Sequence, residues 1–282
     1  MINQIFDNIG SLVLTGIFIL LFILETSFEL RKRVQGRFKR IFINVVVAIP
    51  SFTLLRFLFL PIIIWLAIKN ESLHAGLNYL YTLPTWAEAM IAFLLLDYTN
   101  YLWHILNHKI PILWRFHLVH HTDHDLDITT AFRFHFGELI GSVFFRGAAV
   151  FLIGASPEIV LIYEIIFEAA TQFHHSNMRL PFRFEQLLNK LFVTPRMHGI
   201  HHSVVQHERD SNYSVIFSFW DRIHKTFTFN KPQQELVIGV PLYNDQKELT
   251  IGFLLKLPFT KIRKGKKPLL TDKPPQERKQ PM

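Results

Sequence analysis

The chain has 282 residues, half of them apolar and 28 of them phenylalanine, a composition typical of a protein that faces lipid. The absence of cysteine excludes disulfides, thiolate metal sites, iron–sulfur clusters and a cysteine nucleophile. The formal charge of +8 is concentrated in residues 31–40 and 261–279, beside apolar segments, which favours anionic lipid rather than nucleic acid as the partner of these residues.

Three apolar stretches in the first 103 residues predict membrane helices. The first is 12–24, and the basic residues 31–40 after it place its C-terminal end in the cytoplasm by the positive-inside rule. The second, 41–68, contains two prolines and is either one long kinked span or a span with an irregular end. The third, 86–103, has aromatic residues at both ends and returns the chain to the cytoplasmic side at His104.

A further apolar region, 138–170, is interrupted at 154–157 by glycine, serine and proline, and predicts a helical hairpin that enters from the cytoplasmic side. The segments 104–137 and 171–230 hold fourteen of the fifteen histidines, so we expect the polar chemistry on one side of the membrane. The lysine- and proline-rich residues after Phe259 predict a disordered cytoplasmic extension. The predicted fold is an all-α membrane bundle of about three spans plus a hairpin, with a cytoplasmic histidine-rich helical cap.

Eight histidines fall into motifs with recurring spacing. They are His104-x-x-x-His108, His117-x-x-His120-His121 and His198-x-x-His201-His202. On a helix, residues three and four apart lie on one face, so each motif presents its imidazoles together. Neutral imidazole binds iron, zinc, copper or nickel. Eight imidazoles exceed the coordination number of one ion, so the sequence predicts that the cap holds two metals.

Other polar residues are weaker candidates. One member of the pair His174 and His175 is expected to be a ligand, because the pair follows the apolar hairpin and can close the cluster from another helix. His135 is either a ligand, a group that hydrogen-bonds to one, or an ordinary interfacial histidine. The remaining histidines, His74, His124, His207 and His224, match no ligand spacing or lie in the predicted outer loop.

These motifs, in this order, resemble the fatty acid hydroxylase and sterol desaturase superfamily, in particular its bacterial members. The similar blocks are Trp103–His108, Trp114–His121, Thr130–His135, His175–Asn177, Thr194–Ser203, Asp210–Tyr213 and Trp220–Arg222, and the resemblance covers about residues 85–230. It implies nine metal ligands: His104, His108, His117, His120, His121, His198, His201, His202 and, from the intervening helix, His175. His174 has no firm counterpart.

Three further residues are candidates for orienting a ligand through a hydrogen bond. Asp97 lies about two helical turns before His104 on the same face, although pairing with Arg56 explains it almost as well. Asp210 and Asn212 are similar candidates, with capping of a helix end as the alternative.

The resemblance implies a membrane-bound, O2-dependent di-iron enzyme that hydroxylates or desaturates a C–H bond of a lipid: a sterol, fatty acyl or ether lipid. It divides the chain into N-terminal membrane helices (1–85), a catalytic domain (86–230) and a basic tail (231–282). No dinucleotide or haem motif is present, so electrons are expected from an external reductase, ferredoxin or cytochrome, or from a reduced pterin. The expected location is the bacterial inner membrane, with the active site and C-terminus in the cytoplasm.

Two other classes of function compete with an oxygenase. A zinc-dependent lipid hydrolase also uses histidine ligands, and zinc is a possible metal in purified protein, but neither H-x-x-H-H motif contains a carboxylate to act as general base. A metal transporter or sensor would place histidines along the spans, whereas here they gather on one side.

Overall fold

The computed structural model describes residues 9–263, and most of this part of the chain is helical, with one long irregular segment at 224–250. The helices are α1 Ser11–Ser27, α2 Arg37–Leu54, α3 Leu60–Leu73, α4 Thr85–Lys109, α5 Pro111–His121, α6 Phe136–Ile153, α7 Pro157–His175, α8 Phe182–Leu188, α9 Pro195–His201, α10 Gln206–Arg209, α11 Phe219–Ile223 and α12 Ile251–Lys256. Between residues 9 and 263 the only β-structure is three isolated bridges, so the all-α prediction is confirmed.

Three helical segments are long and apolar enough to cross a membrane: Arg37–Tyr79, Thr85–Lys109 and Phe136–Ile153. The chain is therefore a membrane protein. Two of these segments contain the second and third predicted spans. The third segment is the first arm of the predicted hairpin, whereas the predicted first span forms the shorter, 17-residue helix α1.

Helices α2 and α3 join end to end through a π-helical segment, Leu55–Phe59, and so form one long helix. The three pieces have 18, 5 and 14 residues, which at 1.5 Å per residue makes a rod of about 55 Å. Because the apolar core of a bilayer is about 30 Å thick, a large part of this rod lies outside it. Its N-terminal end is polar and buried in the cap, where Arg40 and Asn44 contact residues 123–130.

The hairpin of α6 and α7 follows from its sequence. Gly154 ends α6 in the left-handed conformation, with φ of +74°, which favours glycine. Ser156 then caps α7 by accepting a hydrogen bond from the Ile159 N–H, and Pro157 occupies the first helical position, where no N–H is needed. The predicted hairpin is thus present, with its turn at the predicted residues.

Prolines also bring the histidine motifs together. Ile110 is extended, as the residue before a proline favours, so α4 stops after His108 and α5 starts at Pro111 in a new direction. Helix α9 likewise starts at Pro195, after extended Thr194. The three motifs therefore lie on three separate helices, with His202 directly after the end of α9.

The C-terminal segment packs more extensively than the sequence predicts. Val240, Tyr243, Leu249, Leu254 and Leu257 are buried and form one core cluster with residues of α2 and α5. These contacts join residues far apart in the chain, which composition alone does not reveal. The division into three domains stays a prediction, and the predicted disorder falls mainly on residues 264–282, outside the described residues.

Candidate metal centre

Nine histidines lie in two adjacent groups in the cap. The first consists of His104, His108, His117, His121 and His201, and the second of His120, His175, His198 and His202. Within each group, one ligand atom from every residue lies within 4.8 Å of the others. The nine are the residues that the resemblance implies as ligands. The structure brings all of them together, so each group is a candidate site for one metal ion.

Each H-x-x-H-H motif contributes histidines to both groups: one motif gives two to the first group and one to the second, and the other motif does the reverse. Helix α5 supplies His117 and His121 to the first group and His120 to the second, while α9 supplies His201 to the first and the other two of its histidines to the second. Residues four apart thus share one group, and the residue three from the first of them faces the neighbouring group. The motif accordingly serves two ions from a single short helix.

The spacing of ring nitrogens fits bound metal. Two nitrogens bound at right angles to one ion, each at about 2.1 Å, are about 3.0 Å apart, and about 3.4 Å in a tetrahedron. Nε2 of His175 is 3.0 Å from Nε2 of both His120 and His198, and Nε2 of His202 is 3.1 Å from that of His198. In the first group, Nε2 of His117 and His121 are 3.2 Å apart. The first three separations match right-angle coordination, and the fourth lies midway between the two geometries.

Several histidines are held by hydrogen bonds from the ring nitrogen that faces away from the group. Nδ1–H of His104 donates to the Tyr213 carbonyl at 2.8 Å, that of His201 to Ser211 at 2.7 Å, and that of His175 to Thr171 at 2.8 Å. A carbonyl can only accept, so each bond fixes the tautomer in which Nε2 carries no hydrogen and is free to bind metal.

Three Nε2 atoms of the first group have no hydrogen-bond partner within residues 9–263: those of His104, His108 and His201. Buried nitrogens of this kind are costly unless something else binds them. Burial, reinforced by neighbouring histidines, also lowers the pKa of His121, His201 and His202 well below the ordinary value. These three imidazoles are therefore neutral at physiological pH, the form that binds metal.

Glu138 is part of the site, and sequence analysis missed it. Its carboxylate accepts a 3.0 Å hydrogen bond from Nδ1–H of His117 and so orients that ring. Carboxylates that position a metal-binding histidine commonly raise its basicity. The available signal was a carboxylate in the first turn of an otherwise largely apolar helix.

The weaker histidine candidates lie elsewhere. His135 caps α6: its Nδ1 accepts from the Gly137 N–H at 3.0 Å, and its Nε2–H donates to the Leu255 carbonyl at 3.1 Å. His174 packs against His198, with ring centroids 4.1 Å apart, while its Nδ1–H donates to the Val215 carbonyl. Neither residue is in the two groups, and their possible role as ligands or as groups that support a ligand stays a prediction.

The other polar candidates mainly organise loops. Asp97 accepts from the Trp220 indole at 2.8 Å and the Phe217 N–H at 3.3 Å. Asn212 bonds to the backbone of Met197 and Thr228 and has φ of +56°. These two residues fix the segment that follows the second H-x-x-H-H motif.

Asp210 lies beside the first group. Its carboxylate is 3.9 Å from Nδ1 of His108 and 3.1 Å from the Lys109 ammonium. It is the one candidate carboxylate from the sequence that approaches a histidine of either group, although the distance exceeds that of a hydrogen bond.

A buried ionic network lies beside the histidine groups and connects α2 to the loop after α5. Arg40 pairs with Asp123 at 2.8 Å and also with Asp127, and Arg133 donates to Asn44 at 2.8 Å. Burial alone would raise the pKa of Asp123, but the guanidinium groups of Arg40 and Arg133 hold it below the ordinary value. The network ties the end of the long helix to the residues directly after His121.

A cavity of about 360 Å³ connects the histidines with the membrane helices. Members of both groups line it, among them His104, His117 and His120. Phe134 also lines it and stacks on the His120 ring, with centroids 4.4 Å apart and an angle of 8° between the planes. Apolar residues of the long helix, such as Leu55 and Leu60, form part of the opposite wall. The arrangement can hold an apolar molecule against a metal site.

Comparison with known proteins agrees with this geometry. Residues 89–226 match the family model described as fatty acid hydroxylase. An ornithine lipid hydroxylase of Rhizobium tropici is 28% identical over 192 residues, which cover 68% of this chain and 55% of that protein. Alkylglycerol monooxygenase of Homo sapiens is 28% identical over 223 residues, 76% of this chain and 46% of the relative.

Cholesterol 25-hydroxylase of Mus musculus is 27% identical over 173 residues, 60% of this chain and 57% of the relative. The chain spans about half the length of the curated relatives it matches. No solved structure matches it. The matched region contains every histidine of the two groups, and the chain belongs to the fatty acid hydroxylase superfamily.

Proposed function

We propose that this protein is a membrane-bound, O2-dependent di-iron oxidoreductase that hydroxylates a C–H bond of a lipid. The observation that carries the proposal is the pair of histidine groups, five and four residues, at the end of an apolar cavity. Hydroxylation is favoured over desaturation because the relatives are named as hydroxylases and monooxygenases. All three named relatives act on lipids or sterols, which supports a lipid substrate.

The proposed ligands are the nine histidines of the two groups. A bound iron pair would supply two-electron activation of O2 and an oxidant able to attack an unactivated carbon. The chain contributes the surroundings: burial of the cap excludes water, the carbonyl and carboxylate bonds hold the rings in the metal-binding tautomer, and Glu138 orients His117. The stacking of Phe134 on His120 fixes that ring at the cavity wall.

The substrate is proposed to enter from the bilayer. The cavity is lined by Leu14 of α1 and by Phe52 and Leu55 of the long helix, so an apolar chain can reach the histidines without crossing water. Electrons are proposed to come from an external donor: a reductase, ferredoxin or cytochrome, or a reduced pterin. The catalytic unit is proposed to be residues 86–230, together with the packed segment that follows it.

We place the cap and the C-terminus in the cytoplasm of a bacterial cell, with the spans in the inner membrane. The basic residues 31–40 lie at the cap end of the long helix, where Arg40 contacts Asp123. Positive charge flanking a span favours the cytoplasmic side. The match to the Rhizobium tropici enzyme supports a bacterial setting.

The competing functions have less support. A zinc hydrolase needs a carboxylate that activates water, and Glu138, which lies against the histidines in the described chain, already uses Oε1 to hold His117. A hydrolase also receives no support from the relatives, which are named as hydroxylases and a monooxygenase. A transporter needs ligands along the spans, but both groups lie at one end of the helices.

The test is isotope incorporation. Membranes of cells that express the protein are incubated under ¹⁸O2 with the lipids of the host, and the lipids are compared with those from cells that express His202→Ala. The proposal predicts a lipid product that carries one ¹⁸O atom and is missing with the variant. Incorporation of ¹⁸O from labelled water, with none from O2, would show hydrolysis instead.

A further inference from the structure

Charged residues extend along the cavity away from the histidines. On α6, Glu138, Ser142 and Arg146 are four residues apart and all line the cavity. On α7, Glu164, Glu168, Thr171 and His175 are spaced by four, three and four residues and line it as well. Each helix therefore presents a polar stripe to the cavity, and each stripe begins at the metal centre.

These charges lie in an apolar setting. Arg146 is in the second half of Phe136–Ile153, one of the segments able to cross the membrane. Its guanidinium pairs with the Glu164 carboxylate and stacks over Phe59 and Phe167, 4.7 and 4.8 Å from the ring centroids. Charged side chains within spans are costly and usually mark a functional site or a pathway. The Arg146–Glu164 pair by itself is explained as a clamp between the two arms of the hairpin.

Glu168 is not explained by an ion pair of this kind, and the side chain that hydrogen-bonds to it is the neutral amide of Gln172. It lies one turn from Glu164 on the same face, and its Oε1 atom is buried without a hydrogen-bond partner among residues 9–263. Oε1 of Gln172, one further turn along, is also buried without a partner. A carboxyl oxygen buried in this way costs free energy unless a donor reaches it, and the cavity is the space from which a donor can come.

We propose that Glu168, positioned beside the Arg146–Glu164 pair, binds a hydrogen-bond donor of the lipid substrate, a hydroxyl or an amide N–H. The inference rests on the proposed function and deepens it. The substrate is then an amphipathic lipid whose polar group enters the cavity, not a plain hydrocarbon chain. At 1.5 Å per residue, the seven residues from Glu168 to His175 span about 10 Å along α7. This distance acts as a ruler that selects the carbon presented to the histidines.

The first test measures binding and needs no turnover. The thermal unfolding of the purified metal-loaded protein in detergent is followed with increasing amounts of hexadecanol or hexadecane, because a ligand of the folded state raises the midpoint. The wild type is expected to bind the alcohol about tenfold more tightly than the alkane. Equal affinity of the wild type for the two probes would overturn the proposal.

Variants assign the preference to Glu168. Glu168→Met is expected to lose the preference for the alcohol, whereas Glu168→Gln, which keeps an acceptor oxygen, retains most of it. Glu158→Met is the matched control, because Glu158 is an exposed carboxylate on the same helix, outside the cavity, and its variant should behave as the wild type. A preference that persists in Glu168→Met contradicts the assignment. If Glu168→Met does not accumulate, the proposal is still tested by comparing hexadecanol with hexadecane in the wild type and by the series of alcohols described next.

The second test measures which carbon of the substrate is oxidised. Straight-chain alcohols of increasing length are supplied to the active protein, and the oxidised carbon is located by mass spectrometry. The ruler predicts a constant number of carbons between the hydroxyl and the oxidised position. A constant distance from the methyl end contradicts it. If no alcohol or other lipid is oxidised, the proposed function fails, while the binding preference still reports on the polar subsite separately.

Discussion

Two buried polar clusters lie next to each other in the cap, and they differ in what completes them. In the ionic network, Arg40 contacts Asp123 and Asp127, and the charge of Arg133 also stabilises Asp123, so the chain itself supplies opposite charges. In the histidine groups, the imidazoles face one another, and Nε2 of His104 and His108 have no partner in the described chain. The first cluster is built to hold the fold together, and the second is built around something that the chain does not provide.

The largest expected effect is the loss of metal and activity when one histidine is removed from either group. His108→Ala in the first group and His202→Ala in the second should each lose metal and abolish lipid oxidation, because each group is left short of a ligand. Metal content is measured on purified protein by elemental analysis. His207→Ala is the control, since His207 is exposed and belongs to neither group, and it should keep full metal and activity. Full metal content in both ligand variants would contradict the assignment.

The second effect concerns the network. Asp123→Ala leaves Arg40 without its 2.8 Å partner in a buried position, so a loss of about 3–5 kcal/mol of stability is expected. The measurement is the temperature at which detergent-solubilised protein ceases to elute as a folded species. Asp245→Ala changes an exposed carboxylate and should leave that temperature unaltered. If the two variants unfolded at the same temperature, the network would not stabilise the fold.

The histidine cluster also predicts a pH dependence between pH 7 and pH 5, whereas the lowered pKa of Asp123 makes the network sensitive only to more acidic pH. Burial lowers the pKa of His121, His198 and His201 in the folded protein, so the unfolded chain binds more protons below a pH of about 6.5. The stability of metal-free protein is therefore complete above that pH and falls as the pH drops below it. A slope of more than about 1.4 kcal/mol per pH unit, that of one group, is expected from denaturant unfolding. A flat profile between pH 7 and pH 5 would sink this account.

The smallest effect tests whether His135 is the N-cap of α6 or a metal ligand. His135→Ala removes the acceptor for the Gly137 N–H at the start of α6 and should cost about 1 kcal/mol. Metal content should stay unchanged, because His135 is in neither group. Loss of metal in this variant would give His135 a role that its hydrogen bonds do not indicate.

The comparison also explains what the sequence could predict. The histidine motifs are local: three or four residues set which rings share a face, so eight of the nine clustered histidines could be predicted from spacing. The ninth, His175, was specified only by the resemblance to the superfamily. The apolar spans and the hairpin turn at Gly154 follow equally from local signals. These features depend on the period of a helix and on where glycine and proline interrupt it.

Long-range partners could not be predicted. Arg40 and Asp123 are 83 residues apart, and Glu138 reaches His117 only because α6 packs beside α5. The assignment of His120 to a different group from its neighbour His121 likewise depends on where α7 and α9 lie. Asp97 appeared to be a group that orients His104, but the fold turns its carboxylate to Trp220. Each of these depends on tertiary packing, which spacing along the chain does not encode.

The most direct test of the two-metal account is the iron content of the purified protein. The full chain is produced in iron-replete cells, and iron and zinc are measured per chain together with O2 consumption in the presence of an artificial reductant. The account predicts two irons per chain and reductant-dependent O2 uptake. One metal per chain, or two zinc ions with no O2 uptake, would contradict it.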